Sequence, residues 1–170
     1  MFYFFTASIF FVLLIAFMMI GMIMGAPLVP SKPQIVSAML DLVNLKKGEL
    51  LYDLGSGDGR VLIAAAQRGI QAKGIEINPF AVLLSLILAF FNGVGSRIGV
   101  KWGNYWSTPL SGADGVVVYG LPTIMPRLSL KLRKELKKGT PVVSNSFQIP
   151  ELKLVKSVKM GFDTLYLYKV

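Results

Sequence analysis

The amino-acid sequence predicts an α/β fold in which a mainly parallel sheet of seven strands is preceded by an apolar, membrane-spanning helix. Three observations predict it. The N-terminal stretch carries no charge, short β-branched or Leu-rich runs alternate with helix-compatible ones from Glu49 onward, and a glycine-rich turn follows the first of those runs. With 170 residues and a mean hydropathy of +0.60, the chain has room for one domain of ordinary size and is too apolar for all of it to face water.

The first element is the stretch from Phe2 to Ser31, which lacks any charged side chain; Phe2 to Ala26 is almost continuously Phe, Ile, Leu, Met, Val and Ala. About 20 apolar residues cross a bilayer core, so this stretch is long enough to span. A buried core helix and a cleaved signal peptide are the competing readings. A signal peptide opens on Lys or Arg and closes on a small-x-small site, whereas this chain opens Met1-Phe2-Tyr3-Phe4-Phe5 and leaves the stretch at Gly25-Ala26-Pro27. The expectation is therefore an anchor over residues 1–26, a linker and helix over 27–48, and one domain over 49–170. Lys32, Lys46 and Lys47 follow the stretch and no basic side chain precedes it. The positive-inside rule then predicts a single-pass membrane protein with its domain on the cytoplasmic side.

Pro27, Pro30 and Pro33 make a stiff linker, and Ile35, Val36, Met39, Leu40 and Val43 then recur at helical spacing. Strands are predicted at Leu50 to Leu54, Ala72 to Ile77, Ile98 to Trp102, Gly115 to Tyr119, Pro141 to Ser146, Leu154 to Lys159 and Thr164 to Tyr168. Helices are predicted at Arg60 to Arg68, Pro79 to Asn92 and Ile124 to Lys138. The final two strands read as a hairpin-like pair closing an otherwise parallel sheet.

Cysteine and histidine are both absent. That excludes disulfide frameworks, thiolate nucleophiles, Ser-His-Asp relays and nearly every zinc or redox-metal site, leaving carboxylates, hydroxyls, amides or a bound cofactor. Nine acidic residues stand against 18 basic ones, a net charge of +9, which favours anionic partners such as phospholipid head groups or nucleic acid.

The most specific signal is Leu50-Leu-Tyr-Asp53-Leu-Gly55-Ser-Gly57-Asp-Gly59-Arg60, an apolar strand that runs through three alternating glycines into a helix. Glycines at such a corner let backbone amides approach a ligand, and the helix N-terminus behind them favours negative charge. Glu76 closes the next strand, 23 positions after Asp53, where an acid can accept from both ribose hydroxyls of an adenosine ligand. Three of the nine acids, Asp53, Asp58 and Glu76, thus fall in one unit. A nicotinamide dinucleotide is the second reading, but its fingerprint is Gly-x-Gly-x-x-Gly and this turn is Gly-x-Gly-x-Gly behind an Asp.

The motif from Asp53 to Gly59 with Glu76 resembles that of class I S-adenosylmethionine-dependent methyltransferases. Val29-Pro30-Ser31, Gly74 to Pro79, Tyr119-Gly120-Leu121-Pro122, Lys134-Glu135-Leu136, Val142-Val143-Ser144 with Phe147, and Gly161 to Thr164 narrow the resemblance. Together they are similar to the ATP synthase c-subunit and adenine nucleotide translocase lysine methyltransferases and to small archaeal protein-lysine methyltransferases. The resemblance implies a seven-stranded Rossmann-like sheet, an S-adenosylmethionine site and methylation of a lysine ε-amine. Carried over by position, Asp53, Gly55, Ser56, Gly57 and Asp58 hold the methionine end of the donor, Glu76 the ribose, and Ile77 and Asn78 the neighbourhood of the adenosine. Asn104 stands where many class I enzymes place an acid near the adenine amino group, with Tyr105 beside it.

A lysine must lose its proton before it attacks, and its solution pKa of about 10.4 makes the neutral form rare at pH 7. Burial beside a sulfonium pushes that pKa down. An acceptor slot lined by aromatics and small polar groups is therefore expected, with Tyr105, Trp106, Tyr119, Ser144 and Phe147 as candidates; plain core packing is the competing reading for the aromatics. Tyr119 ends a strand at the ligand-facing edge of the sheet.

Two surfaces have no part in this chemistry. Phe80 to Phe91 has no polar face, so its outer side is expected on the anchor, on another subunit in a homo-oligomer, or in a membrane interface. Arg127, Lys131, Arg133, Lys134, Lys137 and Lys138 form a basic helix that is either solvated or laid on anionic lipid. The expected acceptor is a lysine of a membrane protein, with a lipid amine such as phosphatidylethanolamine as the alternative. RNA is disfavoured because Tyr119-Gly120-Leu121-Pro122 replaces the Asn/Asp-Pro-Pro-aromatic motif that grips a planar amine.

Overall fold

A helix α1 (Pro33–Val43) leads into β1 (Leu50–Leu54), α2 (Arg60–Gln67), β2 (Gln71–Glu76), α3 (Pro79–Phe91), β3 (Ile98–Trp102), β4 (Gly115–Val118), α4 (Met125–Glu135), β5 (Pro141–Asn145), β6 (Lys153–Met160) and β7 (Asp163–Lys169). Short 3₁₀ turns at Gly95–Arg97 and Pro122–Ile124 precede β3 and α4. This computed structural model describes residues 8–9, 11–12 and 30–170.

The seven strands form one sheet in the order β3-β2-β1-β4-β5-β7-β6. The first five are parallel; β7 inserts between β5 and β6 and runs antiparallel to both. Alternation along the strands sends side chains to two layers. On one side Leu51, Val117, Val143 and Leu165 pack with Ile35, Val36, Met39 and Leu40 of α1 and with Val61, Leu62 and Ala65 of α2. On the other, Leu54, Val116, Val118, Val142 and Tyr168 pack under Met125, Leu128 and Leu132 of α4. The helix expected as part of a linker region is thus built into the core.

The strand order reverses between β1 and β4, where successive crossovers leave the sheet in opposite directions. Such a reversal, at the carboxyl ends of the strands, is the usual place for a ligand on an open α/β sheet. The glycine turn follows β1 and Tyr119 follows β4 at those ends.

One expectation is corrected. Among the described residues no helix is long and apolar enough to cross a membrane, which overturns the single-pass placement with a cytoplasmic domain. The most apolar described helix, α3, has 13 residues; that is about 20 Å against a hydrocarbon core of about 30 Å. The segment expected to span, residues 1–26, lies outside the described residues apart from Ser8, Ile9, Phe11 and Val12.

Candidate functional site

Three glycines of the turn adopt left-handed backbone, with φ of 86° at Gly55, 53° at Gly57 and 78° at Gly59. The N–H groups of Gly55 and Ser56 both donate to the Ile75 carbonyl, at 2.9 and 3.3 Å, so the turn is pinned to the end of β2. A Cβ on Gly55 would meet nothing within 4 Å: conformation, and not crowding, requires glycine there, and the space before it is open. Gly59 differs, because a Cβ there would overlap Ser85 Oγ of α3.

Glu76 is the hub of this corner. Its Oε2 accepts from Gly57 N at 2.9 Å and its Oε1 from Asn78 N at 2.8 Å, so one carboxylate ties the turn to the entry of α3. The side chain is buried, yet each oxygen keeps lone-pair capacity for a further donor. Asn78 is itself occupied: its Oδ1 caps α3 by accepting from Phe80 N and Ala81 N at 3.0 and 3.3 Å. The Ile77 carbonyl accepts from Trp102 Nε1 at 3.0 Å.

Asp53 is 5% exposed. Burial first, then the negative charges of Glu76 and Asp58, push its carboxyl up from 3.8 to about 7. The raised value means that the folded protein holds a proton that the unfolded chain releases between those two limits. Folding stability without ligand therefore falls as pH rises from about 4 to about 7, by an amount on the order of 4 kcal/mol, and is level above. Asp53→Asn is expected to flatten that slope and to leave the ligand-free protein more stable than wild type at pH 8. Urea unfolding at pH 5, 6, 7 and 8 checks this; a slope unchanged by the substitution contradicts it.

Asp58 was expected at the ligand, and the structure gives it a partner within the chain. Arg60 Nη2 and Nε lie 2.6 and 3.0 Å from its two oxygens, which holds its carboxyl below the usual range. Arg60 Nη1 also donates to the Ser31 carbonyl at 2.7 Å, strapping the start of α1 to the turn. Ser56 is buried and its hydroxyl has no hydrogen-bond partner. Gly74 lies against it, since a Cβ there would overlap Ser56 Oγ and lie 2.6 Å from Leu62 Cδ1.

The loop after β3 joins the corner through Gly103 N, which donates to the Glu76 carbonyl at 2.9 Å. Asn104 is exposed, and its Oδ1 accepts from Trp106 N at 2.9 Å, an Asx-type turn. The Tyr105 and Trp106 rings meet at 4.8 Å. Burial raises the Tyr105 hydroxyl; the positive charge of Arg127 opposes that shift and the negative charge of Glu76 adds to it. The Arg127 guanidinium lies over the Trp106 ring at 4.2 Å, and Lys131 Nζ donates to the Trp106 carbonyl at 3.3 Å. Arg127 and Lys131 read in the sequence only as members of a basic helix. No local pattern announces that the helix's first turns fold over this loop.

Tyr119 is half-buried one residue beyond Val118, which pairs with Leu54 of β1 and Ser144 of β5. Ser144 is fully buried and donates its hydroxyl to the Phe147 carbonyl at 2.6 Å, while Phe147 N donates to the Asn145 carbonyl at 2.9 Å. Ser146 between them is left-handed, with φ of 66°. Ser144 thus shapes the turn that carries Phe147, whose half-buried ring packs against the α4 layer. Ser144→Ala is expected to cost about 1 kcal/mol of stability, to leave donor affinity unchanged and to raise KM for the acceptor more than it lowers kcat. A loss confined to kcat would instead give the hydroxyl a direct part in the chemistry.

The family model described as ANTKMT methyltransferase domain matches residues 53–156. A protein-lysine N-methyltransferase of Saccharolobus islandicus is 36% identical over 151 residues, covering 85% of this chain and 93% of that protein. The ATP synthase c-subunit lysine N-methyltransferase of Rattus norvegicus is 34% identical over 142 residues, covering 84% of this chain and 65% of that protein. The chain therefore spans just under two thirds of the length of that relative. Among solved structures, an RNA methyltransferase from Salinibacter ruber in complex with S-adenosyl-L-homocysteine superposes with a TM-score of 0.81 at 35% identity, covering 84% of this chain and 94% of that one.

Proposed function

The chain belongs to the ANTKMT methyltransferase domain family, whose donor is S-adenosylmethionine, and we propose that its acceptor is the ε-amine of a protein lysine. The observation that carries the reading is the match to the Saccharolobus islandicus protein-lysine N-methyltransferase over 93% of that protein's length, because the shared domain then makes up nearly all of that enzyme.

The residues present fit the donor. The turn has open space before Gly55, a buried Ser56 hydroxyl without a partner, and a Glu76 carboxylate with lone pairs to spare. Asp53 would take the ammonium of the methionine end and Glu76 would accept from the ribose hydroxyls. Because the ammonium favours the ionised form of Asp53, donor affinity rises with pH up to about 7.

When bound, the donor supplies a methyl group already activated on a sulfonium, for in-line attack by the acceptor nitrogen. The protein's task is then alignment and control of one proton. Orientation alone can supply about 7 kcal/mol or more of such a barrier. The chain contains no histidine to act as a base, so the amine arrives neutral, its pKa lowered by the half-buried aromatics Tyr105, Trp106, Tyr119 and Phe147 that line the slot and by the Arg127 charge beside it.

A lysine of a membrane protein is the proposed acceptor, by analogy with relatives named for the ATP synthase c-subunit and for adenine nucleotide translocase. RNA is the second reading, supported by the Salinibacter ruber neighbour. The deciding experiment incubates the purified full chain with methyl-labelled S-adenosylmethionine and a native extract containing membranes. Label is expected in protein and, after acid hydrolysis, in methyl-lysine; label in RNA or in lipid amines alone would overturn the proposal.

A further inference from the structure

The helix α3 turns its small residues inward and its large apolar ones outward. Ala81, Ser85 and Ala89, spaced four apart, are the buried residues of this helix and seat it closely against the glycine turn and the β2–β3 half of the sheet. Leu83, Leu84, Leu86, Ile87, Phe90 and Phe91 lie on the other side, each 43–79% exposed, and Trp102 of β3, bonded to the Ile77 carbonyl just ahead of the helix, is exposed as well. Rotating the helix to hide these side chains would drive leucines into the space that Ser85 barely fills against Gly59. Their burial therefore has to come from outside the domain. Contiguous apolar faces larger than a few hundred Å² mark interaction sites.

We propose that α3 is the two-fold interface of a homodimer, the outer face of one copy packing on the same face of a second. Charge leaves this face open to such a partner. Two molecules of net charge +9 repel one another wherever lysines and arginines meet, and residues 79–96 carry no charged side chain over the whole of α3. Area agrees: six large side chains and Trp102 approach the roughly 800 Å² per partner of a standard interface. An isologous contact needs one self-complementary patch, and an uncharged apolar helix supplies it without matched polar pairs. Ile9, Phe11 and Val12, among the described residues of the N-terminal stretch, are themselves more than half exposed.

The interface also lies back to back with the donor corner. Asn78 at the start of α3 is bonded to Glu76, and Ser85 touches Gly59, so the dimer holds the wall of each donor site from behind.

Sedimentation velocity on the full chain and on Ile87→Lys and Ile87→Glu variants tests this. The wild type is expected as a dimer. Each variant alone is expected to weaken self-association by about a hundredfold or more, because an unpaired charge in an apolar contact is costly to desolvate. An equimolar mixture of the two is expected to recover the dimer through the opposite charges. A wild type that stays monomeric, including one that carries bound lipid on this face, overturns the proposal. So does a dimer indifferent to both substitutions, or a mixture that stays monomeric although each variant melts as the wild type does.

Discussion

Glu76→Gln is expected to weaken S-adenosylmethionine binding by about a hundredfold or more, although the two side chains have nearly the same shape. The carboxylate accepts from Gly57 N on one oxygen and from Asn78 N on the other. A glutamine can satisfy one of these; its NH2 then faces the second backbone N–H, donor against donor. A hydrogen bond to a charged group contributes about 1.5–3 kcal/mol, and a hundredfold change corresponds to about 2.7 kcal/mol. Losing one such bond and the anionic contact to the ribose together reaches that range. Titration calorimetry with the donor measures it. The same substitution removes the Glu76 charge that helps to raise Asp53, so the pH at which the ligand-free protein loses stability should move below about 7. A variant that binds the donor normally would place the ribose elsewhere than at Glu76.

Gly59→Ala is expected to destabilise the domain by about 2–5 kcal/mol. A left-handed φ of 78° costs an alanine about 1–2 kcal/mol. The added methyl also overlaps Ser85 Oγ and lies 2.8 Å from Ser85 Cβ, an overpacking strain of about 1–3 kcal/mol. Ser85→Ala would remove the hydroxyl and leave the Cβ conflict. Ser85→Gly removes both, at a helix-interior cost of about 1 kcal/mol. In urea unfolding the double variant Gly59→Ala with Ser85→Gly should therefore recover part of the loss and leave the backbone component. If the double variant is as unstable as the sum of the two single ones, the contact is not the source.

These two residues also show what was legible in the sequence. Glu76 stood out because an acid at a strand's end, 23 positions beyond Asp53, is a local pattern. Gly59 read as one of three interchangeable turn glycines, because its requirement comes from Ser85, 26 positions later and on another helix. The same division holds more widely. Apolar runs announced each of the described strands and the helices α2 to α4 to within about three residues, and the terminal pair read correctly as antiparallel. The insertion of β7 between β5 and β6 was not legible, since both placements leave the same alternation along the strands. Side-chain partners were the least accessible: Asp58 is taken by Arg60 two residues on, Asn78 by the amides of α3, and Ser144 by the Phe147 carbonyl. Each choice is settled by backbone geometry that the sequence does not display. The absence of a polar face on α3 was legible as an anomaly, and the structure keeps it one.

The strap at Arg60 has a mechanical consequence. Its guanidinium grips Asp58 with one edge and the Ser31 carbonyl with another, so the chain touches the donor turn just before it enters the core as α1. One partly exposed side chain thereby ties the backbone just ahead of α1 to the loop that follows β1, two segments about thirty positions apart in the chain.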